Sequence, residues 1–112
     1  MTKWLRLEHA EAKRDGAKPQ KNSGRSDHHK GDAILDGFTV DYKMSAKSFT
    51  LTKLVWGKAT ADAVKNDLSI PAIKVILGAE GEPKTRLWVI DEDTFNEFRE
   101  AYNALQEQTS SN

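Results

Sequence analysis

Two aspartates and a lysine carry the most suggestive chemistry in this chain, in the stretch KGDAILDGFTVDYK, residues 30–43. Asp36-Gly37 is a two-residue turn signal, and the residues on either side of it alternate as hairpin strands do. With that turn, Leu35 faces Phe38, Ile34 faces Thr39, Ala33 faces Val40, and Asp32 faces Asp41. Ala33, Leu35, Phe38, Val40 and Tyr42 then share an apolar face, while Asp32, Ile34, Thr39, Asp41 and Lys43 share the other. Directly opposed residues have Cβ atoms about 4.5–5.5 Å apart, and like charges so placed repel. Two carboxylates held that close call for a shared proton or a cation. A donor set made only of oxygen suits a hard cation such as Mg²⁺ or Mn²⁺. Lys43, two residues beyond Asp41 on the same face, would orient a water and offset charge developing on a phosphate. Asp, then Asp-x-Lys one strand later, therefore fits metal-dependent phosphodiester hydrolysis. The plainer alternative is an exposed hairpin face whose acids are solvated and whose Lys43 pairs with Asp41.

The elements that would position this hairpin are legible on both sides of it. Residues 3–15 have helical spacing at Trp4, Leu5, Leu7, Ala10 and Ala12, with Gly16 as the stop. AKPQKNSGRSDHHKG reads as a polar, basic loop containing one irregular strand. A helix beginning near Thr50 or Thr52 carries an apolar stripe of Leu54, Val55, Ala59, Ala63 and Val64. PAIKVILGA and TRLWVID are two strands joined by EGEPK. DEDTFNEFREAYNALQEQ is a helix with acids in its first turn, where the helix dipole favours them. Its expected buried stripe is Phe95, Phe98, Tyr102 and Leu105. The order predicts a single-domain α/β fold, a mixed sheet with helices on both faces.

The chain of 112 residues is enough for one modest core, and it contains no cysteine for a disulfide or a thiolate metal site. No apolar run approaches membrane-spanning length and no signal-peptide core is visible, so a cytoplasmic, soluble protein with no membrane partner is expected. Net charge is zero, but residues 1–65 hold 13 Lys/Arg against 8 Asp/Glu, and residues 66–112 hold 4 against 9. That split gives one part +5 and the other −5, which suits a basic face meeting a polyanion, or charges merely solvated.

GDAILDGFTVDYK resembles the core motif of the PD-(D/E)XK nuclease superfamily, with Gly31 where proline is often found. Within it the chain is most similar to the small Holliday-junction resolvases of archaea and phages. LEHAEAKRDGAKPQKNSG resembles their first helix and Ser-Gly loop, KSFTLT leads into a helix, and PAIKVIL supplies the next strand. The resemblance spans roughly residues 4–90 and rests on Glu8, Ser23-Gly24, Gly31-Asp32 and Asp41-x-Lys43. It implies a restriction-endonuclease-like αβββαβ core within a nuclease domain of residues 1–107, followed by a disordered tail at 108–112.

The resemblance further implies that Asp32, Asp41 and the Tyr42 carbonyl hold Mg²⁺, for which Mn²⁺ substitutes, with no organic cofactor. Lys43 would position the attacking water, and Glu8 would be the additional acid that binds or orients the metal. Glu11, one helical turn on, is the rival for that role. Asp41 stands where many relatives have glutamate. Lys18, Lys21, Arg25 and Lys30 suit phosphate neutralisation, and Ser23 and Gly24 suit a hydrogen bond to phosphate. Lys13, Arg14, Lys47 and Ser48 would extend that surface. His28-His29 lack zinc-site spacing. Trp56 and Trp88 fit core or dimer interface, and Trp4 fits either core or DNA stacking. The implied function is a Mg²⁺-dependent endodeoxyribonuclease that nicks four-way DNA junctions in pairs, leaving 5′-phosphates, as a homodimer. The dimer contact is expected on the Leu54–Val64 helix or on the strand face near Trp88. Alternatives are a nicking or restriction-type nuclease of the same superfamily, an RNA-directed nuclease, and a non-catalytic nucleic-acid-binding module.

Overall fold

The computed structural model describes residues 3–19 and 32–110. Its elements run α1 (Lys3–Asp15), β1 (Lys18–Pro19), β2 (Asp32–Leu35), β3 (Phe38–Ser45), α2 (Lys53–Lys65), β4 (Ile70–Leu77), β5 (Thr85–Val89) and α3 (Glu92–Ser110). The five strands form one mixed sheet in the order β1-β2-β3-β4-β5. All neighbours are antiparallel except β3 and β4, which run parallel and are joined through α2. This is the α/β architecture that the order of elements predicts.

The hairpin has the expected register: Leu35 opposes Phe38 and Asp32 opposes Asp41 across Asp36-Gly37. Asp36 takes the left-handed conformation (φ 53°) that Asp tolerates better than most residues. Strand alternation then sends Ala33, Val40 and Tyr42 into a core with Ala12 and Ala17 of the α1 segment and with Ala72 and Ile76 of β4. Leu35, Phe38, Met44 and Ile90 pack around it. The opposite face of the sheet carries Ile73 and Val75, covered by Ala59, Val55 and Trp56 of α2.

Helix α2 starts where Thr52 caps it, the Thr52 hydroxyl accepting from the Val55 N–H at 3.1 Å. Its sheet-facing ridge is Val55, Ala59 and Ala63, spaced by four, because the small alanines let the helix lie close to Ile73 and Val75. Leu54 and Val64, expected on that stripe, instead point to solvent. At the helix end, Asn66 Nδ2 donates to Thr39 Oγ1 at 3.2 Å, and Ser69 Oγ also bonds that hydroxyl, so buried Thr39 is satisfied. Gly78 is required where β4 turns away, since a Cβ there would come within 2.8 Å of the Pro83 carbonyl oxygen.

Two expectations for the last helix are corrected. Phe95, Phe98, Tyr102 and Leu105 do not form a buried stripe; they are 51–61% exposed. Among the described residues the first turns of α3 meet the body through buried Thr94 and through Phe98, whose ring lies 6.1 Å from that of Phe38. The sheet face it leaves is already filled by α1, so the rest of α3 projects outward. Of the expected tail, residues 108–110 continue the helix, and 111–112 lie outside the described residues. Thr109 Oγ1 donates to the Leu105 carbonyl at 3.0 Å and Ser110 Oγ to that of Gln106 at 2.7 Å, carrying α3 to Ser110. Among the described residues no helix is long and apolar enough to cross a membrane.

A charged network pins α1 to the sheet. Lys74 lies in the interior strand β4 with 2% exposure, and its Nζ donates to Glu11 Oε2 at 2.8 Å and to Asp15 Oδ2 at 2.8 Å. Arg86 of β5 also donates to Glu11 through Nε, and Tyr42 Oη donates to Asp15 at 3.0 Å. Burial pushes the Glu11 carboxyl up, but the hydrogen bonds and charges of Arg86 and Lys74 outweigh it and hold it down at about 2. Burial and the Asp15 carboxylate raise the Tyr42 phenol above its ordinary value. Removing one member leaves a buried charge uncompensated, so Lys74→Ala is expected to cost roughly 3 kcal/mol in urea unfolding. Because the Glu11 value is depressed in the folded protein, its stabilisation is complete above about 4.5 and is lost as pH falls through about 2. Glu11→Gln is therefore expected to flatten the acid limb of the stability profile in that window, as read by circular dichroism.

Candidate active site

The site lies where β3 outruns β2. The described pairing of the two strands ends at Asp32 opposite Asp41, while β3 continues through Tyr42, Lys43 and Met44 to Ser45 with β4 on its other side. A main-chain N–H beyond the end of a pairing needs another acceptor. At Met44 that acceptor is Glu8 of α1, whose Oε2 takes the Met44 N–H at 2.8 Å. The helix acid thus reaches the strand segment that carries Asp41 and Lys43.

Asp41 is only 4% exposed. Lys43 Nζ approaches its Oδ2 at 3.5 Å, with the lysine side chain about one-third exposed. That pair matches the plainer alternative in its contact but not in its setting, because the hairpin face bearing Asp41 is buried rather than solvated. Glu8 senses the same neighbours. Burial raises its pKa above the ordinary value, against the Met44 N–H bond and the Lys43 charge, and the Asp41 charge adds to the rise. A half-buried carboxylate with a raised pKa beside a buried second carboxylate and an ammonium is a poised arrangement common at functional sites.

Glu8 and Glu11 differ in what each touches. Glu11 is consumed by Lys74 and Arg86 in the network under α1, on the Tyr42 side of the sheet. Glu8, one turn earlier, meets Met44 at the strand end. Lys3, an obvious surface partner for Glu8, pairs instead with Glu80 at 3.1 Å.

The residues expected to meet a polyanion are partly in view. Lys13 and Lys18 are exposed, as are Lys47 and Ser48 just beyond β3. Arg14 is exposed too, but its Nη1 lies 3.4 Å from both Glu11 and Asp15, so part of its charge is spent internally. Lys21, Ser23, Gly24, Arg25 and Lys30 lie outside the described residues, as do Gly31 and the His28-His29 pair. Trp56 packs against the α2 core, whereas Trp88 is about half exposed with Lys74 Nζ 5.3 Å from its ring. Trp4 is half-buried and lines a shallow groove of about 290 Å³ with Leu7, Ala10 and Met44.

For a hard divalent cation, the described donors are the Glu8 and Asp41 carboxylates. Among the described residues no three acidic, imidazole or thiol groups are close enough to hold a metal. The third carboxylate of the expected set belongs to Asp32, which the strand register places directly opposite Asp41. Oxygen donors of this kind fit Mg²⁺ and Mn²⁺ and fit softer metals poorly.

What sequence reasoning missed is the Glu11–Asp15–Lys74–Arg86 network. A signal for it exists: Lys74 interrupts the apolar run PAIKVIL, and a lysine in a central strand needs an acidic partner. Comparison with known proteins finds no matching family model, no matching curated protein and no matching solved structure.

The Glu8 environment gives a sign-specific expectation. In carbon-detected NMR titration Glu8 should titrate above the usual glutamate value. Asp41→Asn should lower that value by removing a neighbouring negative charge, and Lys43→Ala should raise it further. No response to either variant would separate Glu8 from the site.

Proposed function

We propose that the protein is a metal-dependent, structure-selective DNA endonuclease, with a Holliday-junction resolvase as the best reading. The observation that carries this is the convergence of Glu8, Asp41 and Lys43 at the free end of β3, with Asp32 in register opposite Asp41. The order α-β-β-β-α-β over residues 3–77 supports a restriction-endonuclease-like core. The resemblance of GDAILDGFTVDYK and its flanks to PD-(D/E)XK nucleases supplies the reaction class.

In this reading Asp32, Asp41 and Glu8, with the Tyr42 carbonyl, hold Mg²⁺ or Mn²⁺. The bound cation supplies a water of lowered pKa and positive charge against the scissile phosphate. Glu8 and Asp41 must both be ionised to take it up, so Glu8's raised pKa makes occupancy fall on the acid side. Lys43 stands at the mouth of the site, restrained by Asp41, and donates hydrogen bonds that orient the attacking water and offset charge on the phosphate oxygens. Water adds to phosphorus in line as the bond to the 3′ oxygen breaks, leaving a 5′-phosphate and a 3′-hydroxyl. Lys13, Lys18 and Lys47, with Lys21, Arg25 and Lys30, neutralise backbone phosphates. Two coordinated cuts across a four-way junction call for two such sites in a symmetric homodimer.

The test is cleavage of a labelled four-way junction beside a matched linear duplex, with Mg²⁺ or EDTA. Paired symmetric nicks in the junction alone are expected, abolished by EDTA and reduced at least a thousandfold by Asp41→Asn or Asp32→Asn, as for loss of a group central to charge stabilisation. Lys43→Ala should slow cutting about a hundredfold while leaving junction affinity nearly unchanged. Cutting of both substrates would keep the nuclease and remove junction selectivity. Binding without cutting under Mg²⁺ and Mn²⁺ would favour a non-catalytic binding module.

A further inference from the structure

The apolar face of α3 has the spacing of a pairing seam. Phe95, Phe98, Tyr102 and Leu105 follow one another at intervals of three, four and three, which places them on one line down a helix of 19 residues. All four are exposed, as are the described residues that follow Phe98 to the end of the helix. Isolated exposed apolar residues are ordinary, but an aligned aromatic row on a projecting helix is not.

The charges of α3 say what covers the row. Its acids Glu97, Glu100 and Glu107 fall on the face away from the seam, and the positions flanking the seam are Arg99, Ala101, Gln106 and Gln108. Apart from Glu92, one turn before Phe95, no carboxylate of α3 borders the apolar line, so two identical helices can approach without like-charge repulsion along most of their flanks. The ends set the direction. Asp91, Glu92 and Asp93 gather at the N-terminal end of each helix, beside the sheet. A parallel pair would bring both acidic ends and both bodies together, whereas an antiparallel pair separates them and lets the helix dipoles oppose.

We propose that α3 is the homodimer contact, pairing antiparallel with α3 of a second copy. Phe95 then packs against the second copy's Leu105, and Phe98 against its Tyr102. This replaces the Leu54–Val64 helix and the Trp88 strand face as the expected interface. It deepens the reading of a two-site enzyme, but its test measures mass and not cleavage, so either can fail without the other.

Sedimentation equilibrium of the full chain across a dilution series is the experiment. The wild type is expected to dimerise reversibly, and the double variant Tyr102→Asp/Leu105→Asp to stay monomeric. Both substituted side chains are more than half exposed, so urea unfolding of the variant should match the wild type. Leu54→Asp/Val64→Asp, on the exposed side of α2, should leave the dimer intact. Direction is read by cysteine cross-linking in this cysteine-free chain. Leu105→Cys alone should not form a disulfide dimer, and Phe95→Cys with Leu105→Cys should. A monomeric wild type, a dimer that survives the α3 variant, or dissociation by the α2 variant would overturn the contact. Cross-linking by Leu105→Cys alone would overturn the antiparallel arrangement.

Discussion

A lysine buried in the middle of a sheet is the constraint around which this domain is arranged. Lys74 sits in β4 between Tyr42 of β3 and Trp88 of β5, and Glu11 and Asp15 reach its ammonium from α1. Those two carboxylates are four residues apart and so lie on one face of the helix. Satisfying them fixes both the rotation and the height of α1 over the sheet. Glu8 lies three residues before Glu11 on that face, which brings its carboxylate to the Met44 N–H. The position of the candidate site acid therefore follows from an ion network one turn further along the same face of its helix. Apolar replacements of buried ion networks are often as stabilising, but they do not set a helix rotation in this way.

The two sets of charges differ in how far they are compensated. Around Lys74 each carboxylate has cationic and hydrogen-bonding partners, and Glu11 is held ionised far into acid. Around Asp41 the balance is looser. Glu8 has a raised pKa, Lys43 is a long 3.5 Å from Asp41, and the backbone register sets Asp32 across from Asp41. Burial that is fully answered rigidifies, and perturbed groups whose burial is only partly answered cluster at functional sites. The proposed cation answers the remainder.

The hairpin was legible because its information is local. A turn residue that tolerates the left-handed region, followed by strict alternation, leaves one register that buries Ala33, Val40 and Tyr42 together. The start of α2 was legible for the same reason, since Thr52 caps its own helix. Periodicity was less informative about what covers a face. It identified the apolar line of α3 but could not say whether the sheet, α1 or another chain lies against it. In α2 it placed Leu54 and Val64 with Val55, Ala59 and Ala63, although close approach to Ile73 and Val75 selects only the last three. The Lys74 network depends on residues 59 to 75 positions apart, which no local pattern records.

The central claim is that Glu8, Asp32 and Asp41 together bind a divalent cation, and it is tested most directly without DNA. Paramagnetic Mn²⁺, added in small steps to isotope-labelled protein, broadens amide signals by proximity to the bound ion. The account predicts that the signals of Glu8, Asp32 and Asp41 through Met44 disappear first, and that Asp41→Asn removes this response while leaving the spectrum otherwise folded. Broadening centred on Asp91, Glu92 and Asp93 of α3, with Glu8 and Asp41 still sharp, would contradict it.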